Sequence, residues 1–286
     1  MDSETFVTPY YELKGFSPSK KLFVMTDLHG CLKAMARLLE HYDRDSKVVF
    51  LGDAIDRGPD SYGVIKKLME LDAVCILGNH EYMSLDALFP NKVLFKNTAP
   101  LWSDFNGGSK TLDSFEKAVA DGAEYIENQY KIKFPKIYDD FIRKCKSHYL
   151  DGNILFCHAG IPKDEAPGFS EDPFDIKNFS DAFLWWRPGS DCEYNHEPRR
   201  FEGKDVFLVS GHTPCNPGFV RQNYGIQLDT GHSLKLALEI IPGSDSNTGQ
   251  YRIIGTSCDE IIPPEYPLSD IRRCIEEKMY IKHLVD

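Results

Sequence analysis

Apolar residues fall into short runs separated by stretches of helical periodicity. Lys21-Leu-Phe-Val-Met-Thr-Asp27 is a run of buried-strand type, and Leu32, Met35, Leu38 and Leu39 follow at helical spacing. Lys47-Val-Val-Phe-Leu-Gly-Asp53 predicts a second buried strand. After Pro59 and Asp60, which suit a helix start, Val64, Ile65, Leu68 and Met69 form another stripe. Ala73-Val-Cys-Ile-Leu77 predicts a third strand. Strand, helix, strand, helix, strand argues for right-handed β-α-β units on a parallel or mixed sheet.

The flanking segments are less regular. Residues 1–20 mix Pro, Ser and aromatics without a period and read as an irregular lead-in. Residues 81–150 read as a mainly helical insertion with a Gly-Gly break at 107–108. Asn153-Ile-Leu-Phe-Cys157 restarts the strands, and 163–204 is a long, Pro-rich acidic loop of the size that carries function or mobility. Val206-Phe-Leu-Val-Ser210, Ile226-Gln-Leu-Asp229 and Leu234–Ile241 supply the last strands. The tail, 257–286, ends in one amphipathic helix from about Leu268. The expectation is one α/β domain over 21–256.

Composition narrows the functional classes. A chain of 286 residues can bury one large core, and its net charge of -11 argues against sequence-independent nucleic-acid binding. No stretch approaches the ~20 apolar residues of a membrane span. The opening MDSETFVTPYYELKGF has no basic segment followed by an apolar run, so a cytoplasmic protein without a secretory signal is expected. The eight cysteines include no C-x-x-C pair, which fits reduced thiols.

The chemistry collects where strands end. The first ends in Asp27-Leu-His29-Gly30, the second in Gly52-Asp53-Ala-Ile-Asp56-Arg57-Gly58, and the third in Gly78-Asn79-His80-Glu81. Later runs end in His158-Ala-Gly160 and Gly211-His212-Thr213. Ligands of α/β sheets sit beyond the carboxyl ends of the strands. Histidine, aspartate and asparagine without cysteine form a nitrogen–oxygen donor set suited to Mn²⁺, Fe or Zn²⁺.

This ordered set resembles the phosphoprotein phosphatase branch of the calcineurin-like metallophosphoesterases, nearest its small bacterial and phage-type members, over about residues 21–240. The resemblance implies a sandwich of two mixed β-sheets flanked by helices, with a dimetal site at the strand ends. It implies that Asp27 and His29 bind one ion, that Asp53 bridges both, and that Asn79, His158 and His212 complete the second. A water or hydroxide between the ions would attack phosphorus in line. His80 would be the general acid, oriented by Asp56, and Arg57 would clamp phosphate oxygens. Arg187, in Phe183-Leu-Trp-Trp-Arg-Pro188, is the candidate second clamp. Trp102-x-x-x-Asn106-Gly-Gly108, Thr111-Leu112 and Leu228-Asp-Thr-Gly231 also look like that subgroup.

Two enzyme functions share these residues. One is hydrolysis of phosphate monoesters, foremost phosphoserine and phosphothreonine in proteins, with two divalent ions, Mn²⁺ first and Fe or Zn²⁺ as alternatives. The other is symmetrical hydrolysis of a dinucleoside tetraphosphate, a nucleotide phosphoanhydride, for which Trp102, Trp185 and Trp186 offer stacking surfaces. Retention of Asp56 and Glu81 favours the first. A non-catalytic phosphopeptide-binding scaffold would have lost a ligand or the acid, and none is lost. The expected partners are a phosphoprotein or small phosphorylated substrate, with no nucleic acid or membrane, for a monomer or weak oligomer.

Overall fold

A computed structural model of the chain describes residues 5–89, 101–161, 181–187, 198–214, 220–231, 234–245, 248–258 and 260. The first two strands, β1 (Thr5–Val7) and β2 (Tyr11–Lys14), stand where the sequence pattern predicts an irregular lead-in. Each is too short to display a period, and tertiary pairing with the last strand creates them. The predicted β-α-β stretch then appears in order. It comprises β3 (Leu22–Met25), α1 (Leu32–Leu39), β4 (Lys47–Phe50), α2 (Ser61–Glu70) and β5 (Val74–Cys75). The Asp60 carboxylate caps α2 by accepting from the Gly63 N–H at 2.8 Å.

The segment read as a helical insertion is mixed. It contains α3 (Asn79–Leu88), a π-helical turn at Leu101–Phe105, α4 (Gly108–Ala120) and α5 (Lys136–Lys144). Between the last two stands a hairpin of β6 (Tyr125–Glu127) and β7 (Lys133–Pro135), and after them β8 (His148–Asp151). The remaining elements are β9 (Ile154–Cys157), α6 (Asp181–Trp185), β10 (Arg199–Phe201), β11 (Lys204–Ser210), β12 (Val220–Gln222), β13 (Gly225–Gln227), β14 (Leu234–Pro242) and β15 (Thr248–Ser257). The 163–204 stretch thus contains α6, β10 and the start of β11, while 163–180 and 188–197 lie outside the described residues, as does the predicted C-terminal helix.

One sheet runs β1-β15-β14-β3-β4-β5, with β2 also on β15; the other runs β12-β13-β11-β9-β8, with β10 on β11. Strands β3, β4 and β5 are parallel, as are β9, β11 and β13, whereas the outer pairings are antiparallel. Alternation along each strand divides the apolar residues between faces. Leu22, Val24, Val49 and Leu51 of the first sheet meet Ile154, Phe156, Phe207 and Val209 of the second in a shared interior. Phe23, Met25, Val48 and Phe50 point the other way, into helices α1, α2 and α5. Leu155, Cys157 and Leu208 cover the outer face of the second sheet with Phe183 and Phe201. At ~1.5–3 kcal/mol for each fully buried large side chain, this three-layer burial dominates the drive to fold.

Candidate metal centre and active site

The polar clusters leave their strands in one direction because the central strands of each sheet are parallel. Of the nine described non-glycine residues with positive φ, six are sequence-predicted site residues: Asp27, His29, Asp53, Asp56, Arg57 and His212. A left-handed backbone costs of order 1–3 kcal/mol at each such residue and persists only where neighbours hold it. Two glycines make room for this crowding. A Cβ on Gly78 would lie 2.2 Å from Asp53 Oδ1, and one on Gly211 would lie 2.1 Å from Asp27 Oδ2.

The six predicted metal ligands come together, and all are buried. Asn79 Oδ1 lies 2.9 Å from both His158 Nε2 and His212 Nδ1. Asp53 Oδ1 is 3.5 Å from His158 Nε2, and Asp53 Oδ2 is 3.7 Å from His29 Nε2. Asp53 therefore stands between a group holding His29 and a group holding Asn79, His158 and His212. Asp27, Asp53 and His158 offer ligand atoms within 4.8 Å of one another. The Asp27 carboxylate also accepts the His212 backbone N–H at 3.1 Å.

The far ring nitrogens are committed to the backbone. His29 Nδ1 bonds the Ile55 carbonyl at 2.9 Å, and His158 Nδ1 bonds the Leu51 carbonyl at 2.8 Å. Those carbonyls fix the tautomer that leaves each Nε2 with a lone pair facing the cluster. Burial, followed by the positive charge of Arg57, holds His29 well below the usual imidazole range. Burial, followed by His158 and Arg187, pushes His212 down to about 2. Neutral imidazoles are the metal-binding form. Burial pushes the Asp53 carboxyl well up, and the nearby Asp27 and Glu81 charges add to that rise. A closely packed set of carboxylates, neutral imidazoles and one amide oxygen, desolvated together, fits divalent cations, whose charge would offset the cost of burying the anions.

Beside this centre, His80 Nδ1 lies 2.6 Å from Asp56 Oδ2. The imidazole donates there, leaving Nε2 towards the cluster, 3.9 Å from Asp53 Oδ2. Burial lowers the His80 pKa to about 4 and raises that of Asp56 to about 8. Arg57 bridges the site, its Nη1 donating to His29 Nε2 at 2.8 Å and its Nη2 to His80 Nε2 at 2.9 Å.

A family model for the calcineurin-like phosphoesterases matches residues 20–235, a span that contains β3–β5, every strand of the second sheet and all six candidate ligands. The chain belongs to this family. Among its relatives is an asymmetrical bis(5'-nucleosyl)-tetraphosphatase, PrpE, of Oceanobacillus iheyensis, 28% identical over 233 residues, covering 74% of this chain and 84% of the relative. Serine/threonine-protein phosphatase 1 of Salmonella typhimurium is 34% identical over 111 residues, covering 38% of this chain and 46% of the relative. A solved serine/threonine phosphatase from Saccharomyces cerevisiae, with similarity to human phosphatase PP5, covers 90% of this chain and 87% of its own, with a TM-score of 0.50 and 14% identity. That last likeness shows the fold.

Three further buried residues of this calcineurin-like phosphoesterase, to which the sequence pattern assigns no role in the site, lie beside it. Glu81 is fully buried, and its carboxylate accepts from the N–H groups of Asp53, Ala54 and Gly78 at 2.8–3.0 Å, with Ile55 at 3.3 Å. Lys235 is buried and donates to the Asp27 carbonyl at 2.5 Å and the Gly231 carbonyl at 2.9 Å. Burial, then the Asp27 charge, raises Asp229 to about 7 against the pull of Lys235. The only advance signal was the neighbourhood: Glu81 closes the Gly-Asn-His-Glu motif, and Asp229 opens Asp-Thr-Gly.

At the rim, Arg187 is exposed at the end of α6, close enough for its charge to depress His212. Trp185, 41% exposed, sets its ring edge-on to His212 at 6.0 Å. Trp186 is half-buried with Arg199 5.7 Å from its ring centre. Trp102 is no stacking surface: it is 1% exposed, its indole N–H turned inward to Asp56. No helix among the described residues is long and apolar enough to cross a membrane.

Proposed function

We propose that this chain hydrolyses phosphate monoesters carried by poor leaving groups, foremost phosphoserine and phosphothreonine in proteins. The observation that carries the reading is the Asp56–His80 pair, buried, 2.6 Å apart and beside the six-ligand cluster. An alkoxide leaving group is nearly as basic as hydroxide and departs slowly unless protonated. Cleavage of a phosphoanhydride expels a weakly basic phosphate and gains little from an acid. A dedicated proton carrier therefore has most to contribute with a serine or threonine ester.

Asp27, His29 and Asp53 would hold one divalent cation, and Asp53, Asn79, His158 and His212 the other. Mn²⁺ is the first choice for such donors, with Fe or Zn²⁺ as alternatives. When bound, the pair supplies Lewis-acid polarisation of the phosphoryl group and lowers the pKa of the attacking water. Arg57 exchanges its two imidazole contacts for phosphate oxygens, its planar fork suiting two of them at once, and Arg187 provides a second positive group at the rim. His80, its Nδ1–H held by Asp56, takes up a solvent proton at the Nε2 that Arg57 vacates and delivers it to the leaving oxygen.

One observation favours a second reading, cleavage of a nucleoside polyphosphate. Trp185 presents an exposed aromatic surface beside His212, and the tetraphosphatase relative spans most of the chain. A panel with Mn²⁺ decides between them: phosphoserine, phosphothreonine and phosphotyrosine peptides beside diadenosine tetraphosphate, with products resolved by chromatography. The monoester reading predicts higher kcat/KM on the phosphopeptides. Preference for the tetraphosphate by tenfold or more overturns it.

A further inference from the structure

The segment between α3 and α5 sends three groups back into the catalytic loop after β4, and all three act on Asp56 or Arg57. Thr111, on the first turns of α4, makes two contacts with Asp56. Its hydroxyl donates to Asp56 Oδ1 at 2.7 Å, and its oxygen accepts the Asp56 backbone N–H at 2.8 Å. Since that hydroxyl proton is spent on the carboxylate, Ser61 donates in the 3.1 Å contact between Ser61 Oγ and Thr111 Oγ1. Trp102, from the π-helical turn, directs its indole N–H at both carboxylate oxygens, 2.8 and 3.0 Å away. The Gly107 carbonyl accepts the Arg57 N–H at 3.2 Å.

These contacts fall on strained backbone. Asp56 and Arg57 have φ of 74° and 66°, a conformation that reverts unless it is held. With His80, the Asp56 carboxylate receives three side-chain donors, all from residues at most 3% exposed. Its direction is thereby fixed to within the tolerance of short hydrogen bonds, and the His80 ring is fixed through it. A general acid depends on such alignment, because proton transfer falls off steeply as the heavy-atom geometry loosens.

We propose that Trp102 and Thr111 are positioning residues for proton delivery, so that the inserted segment is a working part of the active site. The inference rests on His80 acting as the general acid. In the step they serve, the attacking water oxygen bonds to phosphorus as the bond to the leaving oxygen breaks with its electron pair, and a proton that His80 has taken up from solvent at Nε2, once Arg57 has turned to the phosphate, is transferred to that oxygen. Asp56 keeps its hydrogen bond from Nδ1 throughout.

The test compares Thr111→Val, Thr111→Ser, Trp102→Phe and His80→Asn in the Mn²⁺-loaded full chain, on an alkyl phosphate and on an activated aryl phosphate, with metal content measured for each. Thr111→Val and Trp102→Phe are expected to lower kcat on the alkyl ester ~10-fold or more, with a much smaller loss on the aryl ester and little change in KM. Thr111→Ser, which keeps the hydroxyl, is expected to restore the alkyl rate. In a His80→Asn background, Thr111→Val should cost nothing further, because the two act through one path. Equal losses on both esters, additive losses with His80→Asn, or a fall in bound metal would make the role merely structural and overturn the inference. Should Thr111→Val fail to fold, Trp102→Phe gives the same discrimination. If His80→Asn itself shows no leaving-group dependence, the general-acid reading fails; if it does and the Thr111 and Trp102 variants do not, only this inference fails.

Discussion

At Glu81 one carboxylate satisfies four backbone N–H groups, two on each oxygen, in the loop that turns Asp53 towards its partners. Burial raises its pKa, and the N–H donors of Asp53 and Ala54 work against that rise. Glutamine in its place would keep one acceptor oxygen and turn an NH₂ group towards two donors. Each buried donor left unmet costs ~1–3 kcal/mol. Glu81→Gln should therefore lower the urea-unfolding free energy of the metal-free protein by several kcal/mol and weaken metal uptake. An unchanged unfolding midpoint would show that the bonds contribute nothing net. The same logic reaches Gly78, where even a methyl group meets Asp53 Oδ1 at 2.2 Å. Gly78→Ala should displace the Asp53 carboxylate and abolish metal binding, and equilibrium dialysis of the variant with Mn²⁺ reads the loss directly.

Among the elements, the β14–β15 pair of the first sheet carries a pH-dependent contact. The Tyr10 hydroxyl donates to Glu239 Oε2 at 2.5 Å, and Arg252 on β15 pairs with the same carboxylate of β14. Burial and the Glu239 acceptor raise the Tyr10 pKa from 10.0 to about 12. The neutral phenol is the form favoured by folding. Its contribution is thus complete below about pH 10 and is lost as pH rises through about 12. Urea titrations at pH 8.5 and pH 11.5 should show the stability gap between wild type and Tyr10→Phe shrinking at the higher pH; a constant gap contradicts the linkage. These strands also show what the sequence concealed. The β3–β5 core and the strand-end motifs were legible because buried parallel strands are continuous apolar runs bounded by their ligands. By contrast β15, Thr-Gly-Gln-Tyr-Arg-Ile-Ile-Gly-Thr-Ser, mixes glycines and a charge with its apolar residues, and is a strand because β14 pairs with it from Gly249 to Ser257 and β1 and β2 pair on its other side. The β6–β7 hairpin was hidden in a segment of helical bias, and the bonds from Trp102 and Thr111 to Asp56 span 46 and 55 residues, a separation that no local pattern reports.

Across the whole molecule, the site exists because two sheets meet. Asp27, Asp53 and Asn79 come from the ends of β3, β4 and β5, whereas His158 and His212 come from the ends of β9 and β11. The shared interior that keeps the sheets in register includes Phe156, fully buried two residues before His158. Phe156→Ala should cost ~3–5 kcal/mol of stability and loosen metal binding as well, because the cavity opens in the interior shared by the two sheets that carry the ligand set. Loss of stability with metal affinity intact would mean that one sheet alone holds the ions. The central claim is that six side chains from both sheets hold two divalent cations with Asp53 shared between them. Its most direct measurement is the Mn²⁺ stoichiometry of the metal-free full chain and of Asp53→Asn, by equilibrium dialysis with elemental analysis. The account predicts two ions per chain for the wild type and weakened binding of both in the variant; two tightly held ions in Asp53→Asn, or fewer than two in the wild type, would contradict it.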